Sequence, residues 1–197
     1  MKSQNTVVRS AQGYVRAVAV VAALGGLLFG YDTGVMSGAL LFLSPEFNMT
    51  AHQEGLVTSM LLVGAAIGAI SGGKVADALG RRNTLLVGGV IFVVGSVWCA
   101  LATSVGTLAA ARTFLGVAVG AVSIVSPMFI AEKVPAAVRG RMVSLNTLMI
   151  VVGQLAAYLV NSSLAHTGNW HLMLGLAAIP GAMLAVGMLF LSDTPVW

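Results

Sequence analysis

The sequence predicts an all-α integral membrane protein, with six transmembrane helices forming one bundle. Three observations predict it. First, 58% of the 197 residues are hydrophobic and only 8% are charged, with a mean hydropathy of +0.96. A soluble domain carries about a quarter charged residues, so this chain has too little polar surface to face water on all sides. Second, the apolar residues fall into six runs, each close to the ~20 residues needed to cross a bilayer. Third, the basic residues cluster in alternate breaks between those runs.

The first run, Ala17–Leu43, follows a segment holding Lys2, Arg9 and Arg16. It is too long for a cleaved signal sequence, and five more runs follow. Residues 1–16 are therefore expected to form a cytoplasmic tail. The break "SPEFNMTAHQE" leads to the second run, Leu56–Leu79. "GRRN" separates it from the third, Thr84–Ala102, and "TSVGT" introduces the fourth, Leu108–Ile130. "EKVPAAVRGR" precedes the fifth, Val143–Leu164, and "AHTGNWH" the sixth, Leu172–Leu191. The bundle is expected to span 17–192, with 193–197 starting a further cytoplasmic segment. Arg81 and Arg82 lie in the second break, and Lys133, Arg139 and Arg141 in the fourth. The first, third and fifth breaks hold no Lys or Arg, so the positive-inside rule puts both termini in the cytoplasm.

The helix faces carry more than topology. Gly26, Gly30, Gly34 and Gly38 recur every four residues in the first run, Gly64, Gly68 and Gly72 in the second, and Gly116 and Gly120 in the fourth. Such ladders let helix backbones approach closely in lipid. Asp32 stands about 200° round the helix from both Gly30 and Gly34. A carboxylate facing lipid is costly, so this second face should look into the protein or a water-filled cavity. Arg112, inside the fourth run, is the other charge at membrane depth. Pairing it with Asp32 would offset part of the burial cost of each. In the fifth run Gln154, Tyr158 and Asn161 share a face. Their spacing fits interhelical hydrogen bonds and a path for a hydroxyl-rich solute equally well.

Other chemistry finds little footing. Cys99 is a lone thiol in an apolar run, and His52, His166 and His171 are too scattered to suggest a metal site. The glycine-rich stretches lie within spans and are not phosphate loops. Trp170 and Trp197 fall near expected membrane interfaces, where Trp is common. The net charge of +4 reads as an orientation signal, not a nucleic-acid surface.

Several stretches, in order, resemble the sugar porter family of the major facilitator superfamily. They are "GYDTGVMSGAL", "GGKVADALGRR" (Gly72 to Arg82), "RTFLGVAVG" (Arg112 to Gly120), "AEKVPAAVRGR" (Ala131 to Arg141), "GQLAAYLVN" and "NWHLMLGLAAIP". The final "SDTPVW" departs from the family's usual P-E-S-P-R-W. The resemblance covers the chain from Ala17 onward and implies the N-terminal six-helix half of a twelve-helix transporter. It implies sugar transport by alternating access, as sugar:proton symport, in a bacterial cytoplasmic membrane. A monosaccharide, a proton, the lipid bilayer and a second bundle would be its partners. It implies no enzymatic activity, cofactor or nucleic-acid partner. A carrier of another solute, or a non-transporting or homodimeric half-transporter, are the alternatives. By the same resemblance Asp32 is the proton-binding acid and Arg112 its partner. Gln154, Asn161 and Phe29 are sugar contacts. Asp77, Arg81, Arg82, Glu132, Arg139 and Arg141 form a cytoplasmic gate network.

Overall fold

The computed structural model describes residues 2–191, and the side chains of residues 12–191 except residue 22. The segment 193–197, with Trp197, and the side chains of Lys2 and Arg9 lie outside the described residues. The described chain is built from α1 (Lys2–Glu46), α2 (Ala51–Leu79), α3 (Arg81–Ala100), α4 (Val105–Lys133), α5 (Ala136–Leu164), α6 (Trp170–Gly175) and α7 (Ala178–Phe190). They make six antiparallel spans long and apolar enough to cross a membrane, the sixth shared by α6 and α7. The chain is a multi-pass integral membrane protein.

Turn chemistry differs between the two ends of the bundle. At one end the helices start on side-chain caps. Thr50 and Gln53 form a reciprocal capping box at α2, Ser104 accepts from the Thr107 amide at α4, and Asn169 accepts from the Leu172 amide at α6. At the other end Gly80 alone separates α2 from α3, at φ 86° and ψ 152°. That region is essentially open only to glycine.

The helices outrun the apolar runs. α1 is already helical from Lys2 where Ala17 was expected, and α5 starts at Ala136 rather than Val143. Loss of hydropathy marks where a helix leaves lipid, not where its hydrogen bonds stop. Residues 2–16 hold no proline and one glycine, so nothing there breaks the helix. The sixth span, expected to be continuous, is instead interrupted at Leu176 and Ala177. Pro180 supplies the reason, because it has no N–H and its ring crowds the carbonyl four residues back, that of Leu176.

Two close-packed helix pairs organise the bundle, α1 on α5 and α2 on α4. The glycine ladders are their contact surfaces. A Cβ added at Gly30 would lie 1.8 Å from the Ile150 carbonyl oxygen, and one at Gly68 would lie 2.0 Å from that of Val117. From the opposite side, Gly120 would meet the Ala65 carbonyl oxygen at 2.0 Å. α3 then packs on α4 and α7, and α1 also touches α4, α6 and α7. Phe92, Leu115, Phe129, Met173 and Leu184 fill the centre.

These contacts predict a sharp positional contrast. Gly68→Ala should force α2 and α4 apart and cost more than the ~1–3 kcal/mol typical of overpacking. Gly55→Ala adds its methyl where nothing lies within 4 Å, and should be neutral or slightly stabilising. Thermal unfolding of both variants in detergent, followed by size-exclusion profile, checks the difference.

Candidate functional site

Asp32 and Arg112 meet in the bundle interior, as their faces imply. Arg112 Nη1 donates to Asp32 Oδ1 at 2.8 Å, and each residue is only 1% exposed. Along the helices, Asp32 lies 14 residues before the end of α1 and Arg112 seven after the start of α4. That is an axial offset of about 10 Å at 1.5 Å per residue. The long Arg112 stem closes it. The glycine ladder has already turned Asp32 away from α5, which leaves its carboxylate facing α4.

The pair is incompletely satisfied. Asp32 Oδ2 and Arg112 Nε are buried with no hydrogen-bond partner. One bond therefore joins two charges that could share two. Next along α1, the Tyr31 hydroxyl donates to the Met173 carbonyl at 3.1 Å. It joins Asp32's neighbour to α6, just ahead of the break in the sixth span.

The expected sugar contacts all lie on the α1–α5 seam, in different settings. Gln154 is half-buried, and its Nε2 reaches Thr33 Oγ1 at 3.4 Å. Asn161 donates from Nδ2 to the carbonyls of Gly34 and Val35, both at 3.3 Å, while its buried Oδ1 has no partner. The Asn161 amide thus serves as interhelical glue on its donor side. Tyr158, which shares the Gln154 face, is 53% exposed. Phe29 borders a cavity of about 40 Å³ with Gly25, Gly26, Ser123, Ser126, Asn146 and Ile150. A small-molecule site usually needs hundreds of Å³, so that cavity cannot enclose a sugar ring.

At the basic end the charges divide. Arg81 Nη1 lies 2.8 Å from Asp77 Oδ1, and Arg81 Nε donates to Glu132 Oε1 at 3.0 Å. The ends of α2, α3 and α4 are joined in this way. Arg82 does something else. Its Nε and Nη2 donate to the Met188 and Leu189 carbonyls at 2.8 and 3.3 Å, capping the end of α7. Arg139 and Arg141 are exposed and stand apart from the Arg81 cluster among the described residues. The structure thus brings together three of the six charges expected to form one network.

Some polar contacts were invisible in the sequence. Trp170, read as an interface residue, is 1% exposed. Its indole N–H donates to Glu46, and its ring packs edge-on against Phe47, with centroids 5.6 Å apart. Ser44 donates to Glu54 nearby, so the far ends of α1, α2 and α6 are joined through two carboxylates. Asn146 is a buried polar residue on α5 beside Ser126, two turns before Gln154. Reading the polar stripe further toward the start of the helix would have found it. Among the described residues no group of three or more His, Cys, Asp or Glu could hold a metal ion.

Comparison with known proteins places this geometry. The model of the family described as "Sugar (and other) transporter" matches residues 18–197. The chain is 42% identical to the galactose-proton symporter of Escherichia coli K12 over 189 residues, which is 96% of this chain and 41% of that protein. It is 43% identical to the glucose transporter GlcP of Staphylococcus epidermidis, covering 90% of this chain and 40% of the relative. The inward-open xylose transporter XylE of E. coli superposes with a TM-score of 0.83 at 34% identity, over 92% of this chain and 49% of that one. A D-xylose-proton symporter superposes with a TM-score of 0.85. The chain spans about two-fifths of the length of these curated relatives. It belongs to the sugar transporter family of the major facilitator superfamily.

Proposed function

We propose that this chain is the first six-helix bundle of a sugar:proton symporter that works by alternating access. The observation that carries the reading is the buried Asp32–Arg112 pair, with one carboxylate oxygen left open. An isolated charge in an apolar interior is costly, and taking up a proton removes that cost. Movement of Arg112 away from Asp32 would therefore be matched by proton uptake, and its return by release. Gln154, Asn161 and Phe29 present one wall of a sugar site. A second bundle provides the other wall, because the cavity beside Phe29 is far too small alone. The names of the relatives support a sugar and a proton as the transported pair. The clustering of basic residues supports a cytoplasmic-membrane protein with that end inside.

Asp77, Arg81 and Glu132 fit a gate at that end. Their side chains are 69%, 25% and 34% exposed. Asp77 is the exposed partner, and a pair open to solvent contributes at most about 1 kcal/mol, so the Asp77–Arg81 contact adds little to the stability of the bundle. Asp77, the most open of the three, is held by Arg81 through Oδ1 yet leaves most of its side chain open to a partner surface. Arg139 and Arg141 face outward for the same purpose.

Three outcomes are expected. The 197-residue chain alone, reconstituted in liposomes, should give no saturable sugar uptake. Robust uptake would favour a homodimer instead. In the transporter assembled with a second bundle, Asp32→Asn should abolish accumulation of sugar against its gradient, while downhill exchange persists. Continued accumulation would remove Asp32 from the coupling role. A protein that failed to insert would point to a static ion pair. Asp77→Asn should change the unfolding free energy by less than about 1 kcal/mol. It should still shift labelling of introduced cysteines by a membrane-impermeant reagent toward the inward-open pattern. Unchanged labelling from both sides would count against the gate.

A further inference from the structure

Between α1 and α7 lies an apolar groove of about 510 Å³. Val20 and Leu24 form one side, and Ile179, Met183 and Val186 the other. Val20, Ile179, Met183 and Val186 are each at least half exposed. Gly187 keeps the floor low, since a Cβ there would already meet Val21 at 3.0 Å. From Ile179 to Gly187 the groove runs eight residues, about 12 Å at 1.5 Å per residue. That approaches the ~15 Å depth of one leaflet of a ~30 Å hydrocarbon core.

The ends of the groove differ. The Val20–Gly187 end lies at the basic end of the bundle. Arg16 is exposed one turn before Val20 and on the same helix face, and it makes no ion pair among the described residues. Arg82 reaches the same end from α3, holding the Met188 and Leu189 carbonyls just past Gly187. The acids described at this end of the bundle, Asp77 and Glu132, are both engaged by Arg81. At the far end, beyond Ile179, the neighbouring residues of α1 and α7 are apolar. A trough somewhat shorter than one leaflet, with guanidinium groups at its polar end only, matches one amphiphile in shape and charge.

We propose that this groove binds an anionic phospholipid, with an acyl chain between α1 and α7 and the headgroup phosphate at Arg16. Basic positions at the membrane surface favour anionic lipids, and pockets of this kind between spans select headgroups. The site lies outside the α1–α4 and α1–α5 seams and is independent of the transport reading.

The test uses the purified 197-residue chain in neutral detergent, with phosphatidylglycerol, phosphatidylcholine of the same acyl chains, or water-soluble glycerol phosphate added. Native mass spectrometry counts bound lipid, and thermal unfolding reports its effect. Phosphatidylglycerol should be retained and should raise the unfolding midpoint more than phosphatidylcholine. Arg16→Gln should weaken phosphatidylglycerol retention about five-fold, the scale set by one basic residue at a membrane surface. Arg16→Lys should preserve it. Ala182→Trp, which fills the groove from its lip, should reduce retention of both lipids. Equal retention of the two lipids by the unaltered chain would overturn the proposal, and that comparison needs no variant. So would unchanged retention by Arg16→Gln or Ala182→Trp, or an equal thermal shift with glycerol phosphate alone.

Discussion

The rest of this bundle depends on two helix pairs whose backbones nearly touch. Between transmembrane helices, burial of apolar surface contributes little, because lipid tails are as apolar as leucine. What remains is packing, and packing at this range needs glycine. Gly30 against the Ile150 carbonyl and Gly68 against the Val117 carbonyl leave no space for even a methyl group. Each ladder fixes rotation as well as distance, since only one face of a helix carries it. Once α1 is turned so that Gly26, Gly30, Gly34 and Gly38 meet α5, the direction of Asp32 is no longer free.

The charged pair is a consequence of that rotation. A carboxylate and a guanidinium, each about 1% exposed, are poor stabilisers compared with well-packed apolar residues of similar volume. Placing them at the centre therefore costs stability that the glycine-packed pairs must offset. The pair is also left half-bonded, with Asp32 Oδ2 and Arg112 Nε unused. The partly exposed Arg81 cluster contrasts with it. There solvent screens the charges, and little stability depends on keeping them together. One bundle thus holds a fully buried pair and a cluster that is partly open to solvent.

The legible parts of the sequence were those governed by local periodicity. Apolar length located all six spans, the four-residue glycine spacing identified the contact faces, and the 200° turn separated Asp32 from them. Arg112 was legible because a second charge at membrane depth needs a partner. What escaped depended on long-range contacts. Nothing near Trp170 signals that Glu46, 124 residues earlier, will accept its indole N–H and draw it into the interior. Arg82 looks like its neighbour Arg81, yet it faces α7 while Arg81 faces α4. Adjacent helix positions differ by about 100°, which sends two like residues to different neighbours. The break at Leu176 was signalled by Pro180, but inside an apolar run it resembled uninterrupted span.

The connectivity gives the central pair a further meaning. The six spans divide into two triplets, α1 to α3 and α4 to α7, in which α1 corresponds to α4 and α2 to α5. Under that correspondence the α1–α5 contact becomes the α4–α2 contact, and both are the close, glycine-packed pairs. Likewise α3 on α4 corresponds to the sixth span on α1. Because α1 and α4 cross in opposite directions, the relation is an inverted repeat. Asp32 and Arg112 sit on the two helices that this repeat exchanges, but they are chemically unlike. Backbone packing is thus shared by the two triplets, whereas charge is not. A rearrangement that keeps both glycine-packed pairs intact still has the α1–α4 seam at which to yield. Across that seam the charged contact is made by the long Arg112 side chain reaching Asp32, whereas the glycine-packed pairs meet backbone to backbone.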